Sequence, residues 1–114
     1  MVALDNVNEG AVVVDGDQIV MNNACVKLMF GLDKEDLLNW KVQDLLKGNE
    51  HLLEIYEKVV KGVEEQEYLM NTVLVTKNSN RAENLIINFK CVSIKTTKGQ
   101  SGNILILFQP VVKP

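Results

Sequence analysis

The chain has few side chains of the types that ligate metals or act as nucleophiles. It contains one histidine, His51, and two cysteines, Cys25 and Cys91. A structural metal site needs several such ligands at short spacing, and the two cysteines lie far apart with no C-x-x-C pair. We therefore expect no metal site and no disulfide. Two buried, reduced thiols are typical of a protein in the cytoplasm.

Catalysis has as little support in the sequence. There is no Gly-x-Ser-x-Gly nucleophile motif, no phosphate-binding loop and no second histidine for an acid–base pair. The many Asp and Glu residues fall at exposed helical positions, where carboxylates are usually solvated. We do not expect an enzyme.

Charge and hydropathy argue against two further classes of function. The formal net charge of the 114 residues is −3 and no Lys/Arg cluster occurs, whereas nucleic-acid binding requires concentrated positive charge. No apolar run approaches the roughly 20 residues that cross a bilayer. We expect neither nucleic acid nor a membrane as a direct partner. The abrupt end at Lys113-Pro114 suggests a single domain over residues 1–114, excised from a longer multidomain protein.

The stretch over residues 10–31 predicts a strand, a tight turn, a second strand and a short helix. Asp15-Gly16 separates two apolar runs, which is a strong β-hairpin signal. Asn22 is the expected N-cap of a helix over residues 23–30. Gly31 should end that helix in the left-handed conformation.

Two helices and three long strands are predicted downstream. Asp33 is the expected N-cap of a short helix over residues 34–38. A longer helix over residues 50–63 has an apolar face made of Leu52, Ile55, Tyr56, Val59 and Val63. The strands are expected near residues 67–76, 83–95 and 102–111, with turns at 78–80 and 98–102. The fold class is therefore α+β, a five-stranded antiparallel sheet with short helices and one longer helix packed on one face.

This order of elements resembles a PAS domain, the sensor module of signalling proteins. The matching segments, which span nearly the whole chain, are Val12 to Asp15, Ile19-Val20, Asn22 with Ala24, Phe30-Gly31, Lys34-Glu35-Asp36-Leu37-Leu38 and Val42 to Leu46. The resemblance implies the strand order 2-1-5-4-3. It also implies sensory input to a linked output domain of a bacterial signalling protein. That output domain would be a histidine kinase of a two-component system, a nucleotide cyclase or a transcription regulator.

Three kinds of PAS function stay open at this point. The domain binds a small ligand, or it is a ligand-free dimerisation module, or it carries haem or flavin. A ligand pocket would lie where the long helix faces the sheet. The candidate pocket-lining residues are Met29, Leu46, Ile55, Val59, Leu74 and Ile106.

The motifs of haem-binding and flavin-binding PAS domains can be compared with this sequence. In haem-binding PAS domains the iron ligand is a histidine in the long helix, and His51 has the matching spacing to Gly62. On a helical wheel, however, His51 lies roughly 120° from the centre of the apolar face, so we expect a surface histidine and no haem. Photosensing through flavin requires a reactive cysteine early in the long-helix region, and none lies between Trp40 and Leu85. Non-covalent flavin has no support of its own.

The predicted strands are apolar on both faces. The runs over residues 11–14, 85–87 and 104–108 do not alternate, whereas an antiparallel sheet with one solvated face should alternate. The helices suffice to cover one face, so we expect something outside this chain to cover the other. The resemblance to PAS domains implies a flanking helix or a second subunit of a homodimer at that face. The candidate interface residues are Val13, Ile86, Leu105 and Leu107, although periodicity does not fix which alternating set points outward.

Asn88 and Lys90 are polar exceptions within the apolar fourth strand. Each lies either on the outward side of the sheet or inside a ligand cavity as a polar contact. We expect Lys90 to point outward, and the pattern leaves Asn88 open.

Overall fold

The computed structural model describes residues 9–32, 34–62, 65–75, 85–94 and 103–111. Within these ranges the elements are β1 (Gly10–Asp15), β2 (Gln18–Asn22), α1 (Ala24–Phe30), α2 (Val42–Leu45), α3 (Glu50–Val60), β3 (Gln66–Leu74), β4 (Leu85–Ile94) and β5 (Asn103–Pro110). The strands form one antiparallel sheet in the order β2-β1-β5-β4-β3. This confirms the predicted fold class and strand order.

The β1–β2 hairpin turns at a two-residue loop. Asp15 pairs with Gln18, so Gly16 and Asp17 form the loop. Their φ angles are 57° and 69°, and a type I′ turn requires positive φ at both positions. Glycine adopts this conformation without strain, and aspartate tolerates it better than most residues. The Asp15-Gly16 signal therefore located the hairpin to within one residue.

Asn23, not the predicted Asn22, is the N-cap of α1. Its Oδ1 accepts hydrogen bonds from the backbone N–H of Val26 at 3.0 Å and of Ala11 at 3.1 Å. Its Nδ2 donates to the carbonyl of Glu9 at 2.9 Å. Asn22 is instead the last residue of β2. One amide thus caps the helix and holds β1 beside it.

The helix predicted over residues 34–38 is absent. These residues form turns, a bend and irregular backbone, and the Asp36 carboxylate accepts a hydrogen bond from Leu38 N at 3.0 Å. Such a local bond competes with helix formation. The next helix is α2, which begins where Val42 N donates to the Asp17 carbonyl at 2.8 Å. The predicted cap, Asp33, lies outside the described residues.

The longer helix and the last three strands lie within a few residues of their predicted positions. Helix α3 ends at Val60 with Lys61 as its C-cap, and Gly62 has a φ of 76°. The predicted end of the helix, Val63, lies outside the described residues, as do the turns expected at 78–80 and 98–102. Of the apolar face, Leu52, Tyr56 and Val59 are buried and Ile55 is half-buried.

The core lies between the helices and one face of the sheet, here called the inner face. Its strand residues are Val12, Val14, Ile19, Leu74, Ile87, Phe89, Cys91, Ile104, Ile106 and Phe108, all of them buried. Phe108 joins the layers, because its ring lies edge-on at 5.4 Å from both Phe30 of α1 and Phe89 of β4. Edge-to-face aromatic pairs stabilise a core beyond the area that they bury.

A turn segment covers the outer edge of β2. Ile19 N donates to the Trp40 carbonyl at 2.8 Å, and Asn39 N donates to the Ile19 carbonyl at 2.9 Å. Asn39 has a φ of 71°, which asparagine tolerates better than other side chains. The backbone groups of Ile19 are thereby bonded on the side away from β1.

Candidate functional site: the two faces of the sheet

The six candidate pocket residues all lie on the inner side of the sheet. Leu46, Val59, Leu74 and Ile106 are buried, while Met29 and Ile55 are half-buried and pack against the same core. The structure therefore brings them into one hydrophobic cluster between the helices and the sheet. That they line a ligand pocket stays a prediction.

A buried polar contact in this core was missed by the sequence reasoning. The Tyr56 hydroxyl donates to Asp17 Oδ1 at 2.6 Å, and Tyr56 is only 1% exposed. Burial, and then the hydrogen bond to Asp17, raise the pKa of Tyr56, which keeps the hydroxyl protonated as a donor. The contact ties α3 to the β1–β2 turn. A tyrosine on an apolar helix face was the available signal, because a buried tyrosine hydroxyl usually has a partner.

His51 lies exposed at the start of α3 and contacts the edge of the sheet. Its Nε2 is 2.8 Å from the carbonyl oxygen of Val73. A carbonyl only accepts, so Nε2 carries the proton in this contact. The geometry gives His51 a structural role at the edge of β3. The expectation that it binds no haem stays a prediction.

Asn49 forms two hydrogen bonds to the same edge of the sheet, where His51 forms one. Its Nδ2 donates to the Val75 carbonyl at 3.0 Å, and its Oδ1 accepts from Val75 N at 2.7 Å. Asn49 is fully buried, whereas Val75 is 38% exposed, so both bonds are partly buried. Together with His51, it fastens the start of α3 along the free edge of β3. These long-range contacts were not predicted from the sequence.

The face of the sheet that points away from the helices is here called the outer face. Half-exposed side chains make up its centre: Ala11, Val13, Leu105, Leu107 and Val92. More exposed apolar side chains surround them: Ile86 (37%), Ile94 (42%), Tyr68 (50%), Met70 (61%) and Met21 (64%). All four candidate interface residues, Val13, Ile86, Leu105 and Leu107, lie on this face. Their role in an interface stays a prediction.

The strand register arranges the centre of the outer face in two rows. Leu105 pairs with Val13 on one side and with Val92 on the other. In the next row, Leu107 lies between Ala11 and Lys90. Cross-strand neighbours on one face are in contact, so the apolar side chains of these rows form one continuous surface with Lys90 at its border.

Asn88 and Lys90 both lie on the outer face, because the alternating Ile87, Phe89 and Cys91 fill the core. Asn88 Oδ1 accepts a hydrogen bond from Asn71 N at 2.9 Å, at the point where the β3–β4 register shifts. Asn88 therefore supports a β-bulge and is not a polar contact inside a cavity. The Lys90 ammonium lies 5.0 Å from the centre of the Tyr68 ring, which is a cation–π distance.

Within the described ranges, no three His, Cys, Asp or Glu side chains are grouped so as to hold a metal ion. Likewise, none of the helices that the structure describes combines the length and the apolar character of a membrane-spanning segment.

A five-stranded antiparallel sheet of this order, with its helices on one face, is the PAS fold, and the solved structures agree. The chain superposes on a PAS domain from Colwellia psychrerythraea with a TM-score of 0.72 at 22% identity, covering 98% of this chain and 93% of that one. A sensory box sensor histidine kinase from Vibrio cholerae gives 0.69 at 14% identity, covering 96% and 87%. The light-state dimer of the fungal blue-light photoreceptor Vivid gives 0.68 at 10% identity, covering 90% and 78%.

No protein-family model and no curated protein sequence matches the chain. The similarity is thus one of three-dimensional structure. It confirms the resemblance to PAS domains at the level of the fold.

Proposed function

We propose that this domain is a sensory or regulatory module of a cytoplasmic signalling protein. It self-associates through the outer face of its sheet and transmits a change in its core to a linked output domain. The observation that carries the proposal is the apolar outer face, which the helices leave half-exposed. The PAS fold, which the chain shares with a sensor histidine kinase, supports a role in signalling. Two free thiols, Cys25 and Cys91, fit a reducing compartment.

The energy available on the outer face is sufficient for weak association. Complete burial of an Ile, Leu or Val side chain stabilises by about 1.5–3 kcal/mol, and half-exposed side chains gain a part of this. Val13, Leu105, Leu107, Val92 and Ile86 on each copy would contribute. The loss of translational and rotational freedom offsets much of the gain. A dimer with a modest Kd is therefore expected.

The same strands supply a physical route for the signal. On β5, Ile104, Ile106 and Phe108 point into the core, while Leu105 and Leu107 alternate with them on the outer face. A ligand that displaced the inward side chains would shift the strand, and the outward side chains would shift with it. Met29, half-buried beside the core, is flexible enough to leave adjustable space for a small apolar ligand.

Leu105→Lys tests the proposal directly. Because Leu105 points outward, the variant should stay folded by circular dichroism, while its self-association Kd rises at least tenfold in sedimentation. Leu28→Lys is the matched control: it adds the same charge at an α1 side chain that is 66% exposed and should associate as wild type. If Leu105→Lys is folded and associates as wild type, the outer face is not the interface.

A ligand-free dimerisation module is the alternative function. One observation favours it: four of the six candidate pocket residues are already fully buried by protein atoms. Native mass spectrometry of freshly purified protein separates the two functions, since a sensor that copurifies with its ligand shows additional mass. The visible absorption spectrum of the same sample reports haem or flavin.

A further inference from the structure

The outer face carries charges of opposite sign at two separate places. Lys90 lies on β4 between Leu107 and Tyr68 in the strand register. Asp15 lies at the end of β1, where it is exposed and follows the inward-pointing Val14. The alternation of β1 therefore places the Asp15 carboxylate on the same face as Lys90.

Within one copy these two charges do not meet. Strand β5 lies between β1 and β4. Strand spacing and rise then put the two Cα atoms roughly 16 Å apart across the face. The Lys90 ammonium lies instead over the Tyr68 ring, on the side of β4 away from β1. Any ion pair between Lys90 and Asp15 would therefore join two molecules.

The register places Leu105 halfway between the two charges. Lys90 pairs with Leu107, and Val14 pairs with Ile104, so the next β5 neighbour of Asp15 is Asn103. Leu105 lies two residues from Leu107 and two from Asn103, on the strand between β1 and β4. A two-fold axis that lies in the plane of the face, passes through the midpoint of the line joining two sites and is perpendicular to that line brings each site opposite the other site of the second copy. An axis passing Leu105 thus brings each Lys90 to the Asp15 of the other copy.

We propose that the occupant of the outer face is a second copy of this chain, set in register by two symmetric Lys90–Asp15 ion pairs about an axis at Leu105. The proposal rests on the proposed self-association and adds its geometry. The same axis places Leu107 against Val13 of the partner subunit, so apolar side chains meet where the charges pair. Because this axis is perpendicular to the line from Lys90 to Asp15, strand spacing and rise make the strands of the two copies cross at roughly 70°. This angle is close to the orthogonal class of sheet packing.

Glu9 is the competing acid for Lys90, and its contacts argue against it. Glu9 Oε1 already accepts a hydrogen bond from Gln109 Nε2 at 3.0 Å. A Lys90–Glu9 pair would also move the two-fold axis between Leu107 and Gln109. The contact would then centre on a polar row that includes Asn88. Asp15 keeps the axis in the apolar centre.

A charge exchange tests the pairing. Lys90→Glu alone gives a chain with acids at both positions, and Asp15→Lys alone gives a chain with bases at both. Each variant alone should show at least a tenfold higher Kd in sedimentation, because like charges meet twice. An equimolar mixture should recover wild-type association as a heterodimer, and so should the double variant. Asp15→Asn, with a smaller rise in Kd, replaces Asp15→Lys if the latter is unfolded by circular dichroism.

The controls separate this proposal from the proposed function. Lys58→Glu and Glu54→Lys, on the exposed side of α3, change charge equally and should leave association unaltered. If the exchange variants associate as wild type while Leu105→Lys does not, the ion pairs are overturned and the outer face remains the interface. If each variant is weakened but the mixture does not recover, the pairing is also overturned. A monomeric wild type overturns both proposals.

Discussion

The strands contribute apolar side chains to both faces of the sheet, and these two sets have very different environments. On β4, Ile87, Phe89 and Cys91 are fully buried, while Ile86 and Ile94 are 37% and 42% exposed. On β5, Ile106 is fully buried and its neighbours Leu105 and Leu107 are half-exposed. The strands themselves do not make one face a core and the other a surface. The position of the helices decides which face is closed.

The aromatic side chains also differ between the two faces. All three phenylalanines of the chain, Phe30, Phe89 and Phe108, are buried on the inner side. The outer face has Tyr68, with Lys90 over its ring. Phenylalanine has no polar atom to satisfy, whereas tyrosine keeps its hydroxyl in water at low cost. The outer face thus combines apolar area with polar groups, as a protein–protein interface does.

The largest expected effect comes from placing one charge on each face of β5. Ile106→Lys buries an ammonium without a partner and should cost more than about 4 kcal/mol of the free energy of unfolding. Leu105→Lys, one residue away, should cost about 1 kcal/mol or less. Urea unfolding followed by circular dichroism measures both. A similar loss for the two variants would contradict the assignment of the faces.

A smaller difference is expected between two asparagines, Asn49 at the edge beside β3 and Asn88 on the outer face. Asn49→Ala removes two partly buried hydrogen bonds to Val75 and should lower the free energy of unfolding by about 1–3 kcal/mol. Asn88→Ala is the matched outer-face variant, and it removes one hydrogen bond to the exposed Asn71. Water can replace that bond, so about 1 kcal/mol or less is expected. Equal losses would show that α3 is not fastened to β3 through Asn49.

The smallest expected effect is chemical and leaves the fold intact. Burial raises the pKa of Cys91, on the inner face, to about 12. Burial and then Glu9 raise the pKa of Cys25 on α1, but Cys25 is half-exposed. The thiolate is the reactive form, so iodoacetamide at pH 8 should label Cys25 at least ten times faster than Cys91. Labelling should quicken as the pH rises toward each pKa.

Mass spectrometry of tryptic peptides separates the two cysteines. Denaturation in urea is the control, and there the labelling rates should converge. Rapid labelling of Cys91 in the native protein would mean that the inner face opens readily.

Local signals in the sequence predicted the elements whose conformation is set locally. The β1–β2 hairpin follows from Asp15-Gly16, and the end of α1 follows from Gly31. The apolar face of α3 follows from helical periodicity. The strand order came from the resemblance to PAS domains, since periodicity carries no information on which strands pair.

The sequence predictions that are wrong concern side chains with two competing partners. Asn22 and Asn23 are equivalent as caps in the sequence, and the longer pairing of β2 with β1 decides in favour of Asn23. Asp36 forms a local bond to Leu38 N where a helix was expected. The Tyr56–Asp17 and Asn49–Val75 contacts join positions distant in sequence. No single-sequence pattern specifies such contacts.

The bonded edges of the sheet bear on how large an assembly can become. A sheet with a free edge can be extended by one strand after another, which is how open-ended fibres grow. Here the backbone of Ile19 on β2, of Val73 on β3 and of Val75 just after β3 is already bonded within the chain. The proposed association would therefore use the outer face rather than these bonded stretches of edge. In the proposed two-fold contact both molecules use the same surface, so a third molecule would find that surface already covered, and we expect growth to stop at two.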